Sequence, residues 1–137
     1  MPAAENKKLL QDIFTGLAQG DSKLFVEKMA ANFRWHLTGS TGWSKSYDGK
    51  DTVLKQLLAP LRSRIDGRIK TVPKRFIADG DLVAVEARGD NRTVKGEPYN
   101  NNYCFVFRLE NGMLAEVTEY LDTELVTSAL GAPGRDA

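Results

Sequence analysis

The sequence contains one cysteine, one histidine and no apolar run approaching the roughly 20 residues that a membrane-spanning helix needs. A lone thiol, Cys104, cannot close an internal disulfide, and with a single histidine beside it the ligands for a structural zinc site are missing. No metal and no cofactor are expected. Charge of one sign is lacking as well: 19 Lys and Arg stand against 18 Asp and Glu, a formal net charge of +1. Lys7, Lys8, Arg62, Arg64 and Arg68 are scattered in a way that solvated helix faces account for, so no basic track for nucleic acid is present. Gly80, Gly96 and Gly112 read as turn residues, and no glycine-rich loop joins a strand to a helix as a phosphate cradle requires. The polar start over Met1 to Leu10 carries no apolar leader, and the chain reads as cytoplasmic, with no membrane partner.

What is present is an ordinary globular balance, 42% hydrophobic and 27% charged over 137 residues. That length suits one domain burying roughly two thirds of its unfolded surface. Leu9, Leu10, Ile13, Phe14, Leu17 and Ala18 share a helical face, and Gly20 ends that helix. A second helix, capped by Asp21 or Ser22, carries Leu24, Phe25, Met29 and Ala30 up to Asn32. The period then changes to two: Phe33, Trp35 and Leu37 alternate with Arg34, His36 and Thr38, which predicts a strand with one buried face and His36 on the other. Turn-rich stretches at 39–42 and 47–50 lead to a third helix with Val53, Leu54, Leu57, Leu58 and Leu61, ending or kinking at Pro60.

The rest predicts a strand meander: 68–78 with Pro73 marking an edge or a bulge, 82–89, 99–109, and 113–121 after an Asn111-Gly112 hairpin turn. A short helix over 123–130, capped by Asp122, closes the fold at Gly131. Residues 132–137 look too small and polar to pack. Helices followed by antiparallel strands predict an α+β domain, 1–137 with its core in 5–130.

The order of elements, with Tyr47-Asp48-Gly49-Lys50, Gly96-Glu97-Pro98-Tyr99-Asn100-Asn101, Asn111-Gly112-Met113 and Glu119-Tyr120-Leu121-Asp122-Thr123, resembles the nuclear-transport-factor-2-like superfamily. The branches it is most similar to are polyketide-cyclase-like (SnoaL-like), limonene-epoxide-hydrolase-like and ketosteroid-isomerase-like. The resemblance implies a cone-shaped roll with N-terminal helices packed on a strongly curved, largely antiparallel sheet. It also implies a cavity for a small apolar or carbonyl-bearing molecule, and a homodimer formed through the outer sheet face.

Function within such a fold is read from inward residues. The resemblance places Glu86, Arg88 and Glu119 inside, on positions that in epoxide hydrolases of this fold hold Arg, Asp and Asp. The rearranged charges speak against epoxide hydrolysis, and the absence of a carboxylate around Trp35 to Thr38 speaks against steroid isomerisation. Polyketide cyclases place an acidic base on a late strand, a role Glu119 matches, with Arg88 and Glu86 as its partners. An apolar pocket raises a carboxylic acid's pKa toward neutrality and makes it a better base. By phase, Trp35, Leu37, Asn101, Tyr103, Val117 and Leu121 are the expected pocket walls.

Three readings follow: cofactor-independent acid–base catalysis of the isomerase, cyclase or dehydratase type; a non-catalytic binder of a small hydrophobic molecule; and a dimerisation module whose cone is filled. A structural ion pair between Arg88 and Glu119 is the plain alternative to a catalytic one.

Overall fold

In the computed structural model, residues 2–133 are described. Helix α1 spans Ala3–Leu17 and buries Leu10, Ile13 and Phe14. A tight connection leads to α2, Lys23–Lys28, which gives way directly to β1, Met29–Leu37. The helix expected through Ala30 ends at Lys28 instead, because Met29 already pairs with Leu114 in the sheet. Sheet pairing thus outweighs helical periodicity at that point.

The 47–50 turn contains a short strand that sequence reasoning missed: β2, Ser46–Asp48, pairs antiparallel with β1. The third helical stretch is continuous through α3 (Lys50–Thr52), a π-helical segment (Val53–Leu58) and α4 (Ala59–Arg64). It runs on past Pro60. Proline lacks an N–H and its ring crowds the carbonyl four residues earlier, so an ordinary α turn is strained there. The widened turn, in which the Ala59 N–H bonds to the Leu54 carbonyl five residues back, accommodates it.

Strands β3 (Thr71–Asp79), β4 (Leu82–Gly89), β5 (Asn102–Glu110) and β6 (Met113–Leu121) form the meander, and α5 (Thr123–Leu130) ends the described fold. The sheet order is β2-β1-β6-β5-β4-β3, with β1 and β6 parallel and every other pair antiparallel. Pro73 sits on the edge strand, where the register shifts between Pro73 and Arg75. The β5–β6 turn uses positive φ at both Asn111 (50°) and Gly112 (76°), the twist-matched two-residue hairpin. The Asp122 carboxylate accepts from the Glu124 and Leu125 N–H groups and caps α5.

One sheet face and the helices enclose an aromatic core. Phe14 lies 5.9 Å from Phe76 and from Phe105, and Trp35 packs edge-on to Phe25 and Phe33. The opposite face mixes ion pairs, with Arg34, Arg75 and Arg108 paired to acids, and exposed apolar side chains such as Ile77 and Leu82.

Two residues of the expected tail are packed instead. Ala132 and Pro133 are half-buried against Gly42, and Arg64 donates to the Ala132 carbonyl at 2.6 Å. The remainder, 134–137, lies outside the described residues. No described helix is long and apolar enough to cross a membrane.

Candidate active site

Glu119 occupies the third-from-last position of β6, opposite Leu37 on β1 and Phe105 on β5. Val117, Glu119 and Leu121 alternate with Thr118 and Tyr120, so the strand's own pleat turns the carboxylate inward. The backbone there is pinned: the Glu119 carbonyl accepts from both the N–H (3.1 Å) and the hydroxyl (2.8 Å) of Thr38. The residue is 6% exposed. Its Oε1 accepts a 2.9 Å hydrogen bond from Trp35 Nε1, and Oε2 has no partner among the described residues. Burial disfavours the carboxylate and raises its pKa to about 7 from an ordinary 4.5, against the smaller lowering effect of the indole N–H.

The carboxylate lies in the wall of a cavity of about 550 Å3, within the usual range for small-molecule sites. The cone is therefore not filled. Trp35, Leu37, Phe105 and Leu121 line it from the sheet, Phe14 and Leu17 from α1, Leu57 and Leu58 from the π-helical segment, and Trp43 from the loop before β2. That loop is held in place by Trp43 Nε1 donating to the Gly131 carbonyl at 2.8 Å and by Tyr47 Oη donating to the Trp43 carbonyl at 2.6 Å.

Two tyrosines complete the polar part of the wall. Burial pushes the Tyr99 hydroxyl up to about 12 and that of Tyr103 well above its ordinary 10, and the Glu119 charge adds to both. Both stay protonated at neutral pH, and their side chains hydrogen-bond to each other. Tyr99 Oη accepts from Asn101 Nδ2 at 3.2 Å, which leaves its own proton to donate. Tyr99 lies in the strand-entry string, but sequence reasoning did not single it out. Its alternation with Asn101 and Tyr103 was the signal available. Trp43 and the helical walls had no comparable signal.

Four expected site residues stand elsewhere. On β4 the buried phase is Val83, Val85, Ala87 and Gly89, so Glu86 and Arg88 project from the opposite, outer face. Glu86 pairs there with Arg75, and Arg88 donates to Asn102 Oδ1 at 3.4 Å. Neither meets Glu119, and the expected ion pair between Arg88 and Glu119 does not form. The physical reason is the strand's own pattern: three apolar side chains outweigh two charged ones in choosing the core side.

Asn101 is fully buried yet is not part of the cavity wall. Its Nδ2 donates to Tyr99 Oη and the Asp122 carbonyl, and its Oδ1 accepts from the Asn102 and Asp122 N–H groups, which uses its full hydrogen-bonding capacity. It ties the entry of β5 to the exit of β6. Val117 is fully buried outside the cavity lining and fills core. Trp35, Leu37, Tyr103 and Leu121 do line the cavity. His36 faces away from it, its Nδ1 2.7 Å from Ser46 Oγ. Among the described residues no three or more His, Cys, Asp or Glu cluster to hold a metal.

Comparison with known proteins bears on this architecture. A model of the SnoaL-like domain matches residues 10–117. The chain belongs to the SnoaL-like family. The match to this SnoaL-like domain stops two residues short of Glu119, so the family fixes the frame and leaves the acid to be argued from geometry. Similar solved structures include an NTF2-like protein of unknown function from Burkholderia pseudomallei, with TM-score 0.79, 19% identity, and 93% of this chain and 98% of that one covered. A protein assigned as a SnoaL-like polyketide cyclase from Jannaschia has TM-score 0.76 and 18% identity, with 97% and 96% covered. One assigned as an isomerase from Bacillus subtilis has TM-score 0.76 and 20% identity, with 96% of each chain covered. At these identities the likeness is one of fold. No curated protein matches the sequence.

Proposed function

We propose that this SnoaL-like protein binds a small, largely apolar, carbonyl-bearing molecule in its cavity and moves a proton on it without a cofactor, with Glu119 as the base. The single observation that carries this reading is a buried carboxylate with its pKa near 7, one oxygen held by Trp35 Nε1 and the other without a partner among the described residues, in the wall of an apolar cavity. A base with pKa near the working pH is partly ionised and still basic enough to take a carbon-bound proton next to a carbonyl. The bond to Trp35 fixes the carboxylate plane, and Oε2 takes the proton. Negative charge then develops on the substrate carbonyl oxygen. The neutral Tyr99 hydroxyl, hydrogen-bonded to Asn101 and to Tyr103, supplies a donor for that charge, and Arg88, which faces outward, takes no part. Relatives assigned as a cyclase and as an isomerase are compatible with such chemistry.

The test is solvent deuterium exchange at the α-carbon of a panel of cyclic ketones, followed by mass spectrometry. Wild-type protein should accelerate exchange at least ~100-fold over Glu119→Gln, the lower range for a positioned general base. The rate should rise with pH to a plateau above about 7, since the ionised carboxylate is the active form. Equal exchange by both proteins sinks the catalytic reading. Ketones that bind without exchange would leave the non-catalytic binder, which the wholly apolar walls around Leu37, Leu57 and Leu58 also suit.

The outer sheet face is the proposed surface for pairing two copies, supported by the exposure of Ile77, Leu82 and Tyr120 on it. Sedimentation of a single species at monomer mass would remove that part of the proposal.

A further inference from the structure

The mouth of the cavity differs in character from its walls. Its exposed lining residues come from two lips, Asp21 and Lys23 at the α1–α2 connection and Arg62, Gly67 and Arg68 at the end of α4 and beyond. The lips meet closely. A Cβ on Gly20, which has φ +80°, would come within 2.8 Å of Arg68 Cβ, so only glycine brings the first lip against the arginine stem.

Among the described residues the rim therefore carries three cations against one anion, and those cations have no partner there. Elsewhere on the described chain arginines are engaged: Arg34, Arg75 and Arg108 with acids, Arg64 and Arg92 with backbone carbonyls, Arg88 with Asn102. At the rim, the Arg62 and Arg68 guanidinium groups and the Lys23 ammonium form no hydrogen bond or ion pair with the described residues, and Asp21 spends Oδ1 on the Lys23 backbone N–H. Unpartnered positive charge around an apolar opening attracts and orients an anion at that opening. At the inner end the arrangement is reversed. Among the described residues Glu119 is the cavity's only acid away from the rim, and an anionic group inserted first would meet it.

We infer that the ligand is an amphipathic organic acid, its apolar body in the cavity and its anionic group held at the mouth by Lys23, Arg62 and Arg68. This rests on the cavity being a ligand site, and it adds the ligand's charge and orientation. The reacting end then points inward to Glu119 and the acidic end outward.

Calorimetric titration with three probes of one shape, naphthalene carboxylate, its methyl ester and naphthylmethylammonium, tests it. Wild-type protein should bind the carboxylate about tenfold tighter than the ester, the sum expected of two or three partly exposed ion pairs, and the ammonium most weakly. The preference should collapse at high salt and in the Arg62→Gln/Arg68→Gln double variant, whose affinity for the ester should stay unchanged. Equal binding of carboxylate and ester, or a preference that survives the double substitution, overturns the inference while leaving the cavity reading intact. Failure of wild-type protein to bind any of the three overturns both.

Discussion

Strands β4 and β6 each carry a glutamate, and the two have opposite fates. Glu86 on β4 lies on the outer face, its side chain 44% exposed and paired with Arg75. Glu119 on β6 lies on the inner face, 6% exposed, with an indole N–H as its only side-chain partner among the described residues. The difference is one of phase. Glu86 alternates with Val83, Val85 and Ala87 and takes the solvent side, whereas Glu119 shares a side with Val117 and Leu121 and is carried inward by them. An acid in the polar phase of a strand is ordinary surface. One in the apolar phase is held there against its desolvation cost, and its chemistry changes as a result.

The largest expected effect separates the two in catalysis. Glu119→Gln should lower turnover of any substrate found by the exchange assay by about 10²–10⁴-fold, the range for losing a general base, and Glu86→Gln by less than about twofold. Comparable losses for both variants would erase the functional distinction between the faces.

Stability against pH sharpens it next. Because folding raises the Glu119 pKa above its unfolded value, the native state holds more protons between about pH 4.5 and 7, and stability falls as pH rises through that window. The loss amounts to about 3 kcal/mol and is complete above the folded pKa. Glu119→Gln should therefore be more stable than wild type at pH 8 by up to ~3 kcal/mol and lose that advantage near pH 4, as read from urea midpoints. Glu86→Gln should track wild type within about 0.5 kcal/mol. A difference between the Glu119→Gln and wild-type curves that stays constant with pH would contradict the buried acid.

A smaller effect probes the one bond that favours the charged form. Trp35→Phe removes the donor to Oε1, so the Glu119 pKa should climb further above about 7. The pH midpoint of deuterium exchange should move alkaline by about one pH unit, the worth of a hydrogen bond to a charged group. The smallest expectation concerns β3 and β4: a double-mutant cycle on Arg75 and Glu86 should give a coupling of about 0–1 kcal/mol, as exposed ion pairs do.

Much of the fold was legible because its signals are local. The apolar stripe of α1, the Asn111-Gly112 turn, Pro73 at an edge and Asp122 as a cap each rest on a few neighbouring residues, and each is found at its expected place. The α2–β1 boundary and the helix running past Pro60 were not legible, since pairing with Leu114 and a π turn override local preference.

For the site, the alternation of β6 by itself determined that Glu119 shares a face with Val117 and Leu121. The alternation of β4 put Glu86 and Arg88 on one face together without fixing which, the family resemblance chose the inner one, and the buried Val83, Val85 and Ala87 show it to be the outer. Tertiary structure alone decided the rest. It set Trp35 Nε1 against Glu119 across 84 residues, spent Asn101 on Tyr99 and on backbone groups, brought Tyr99 into the same cavity wall as the acid, and gathered Lys23, Arg62 and Arg68 around one opening. Periodicity reports which side of an element a residue takes, but what it meets there depends on contacts between segments distant in sequence.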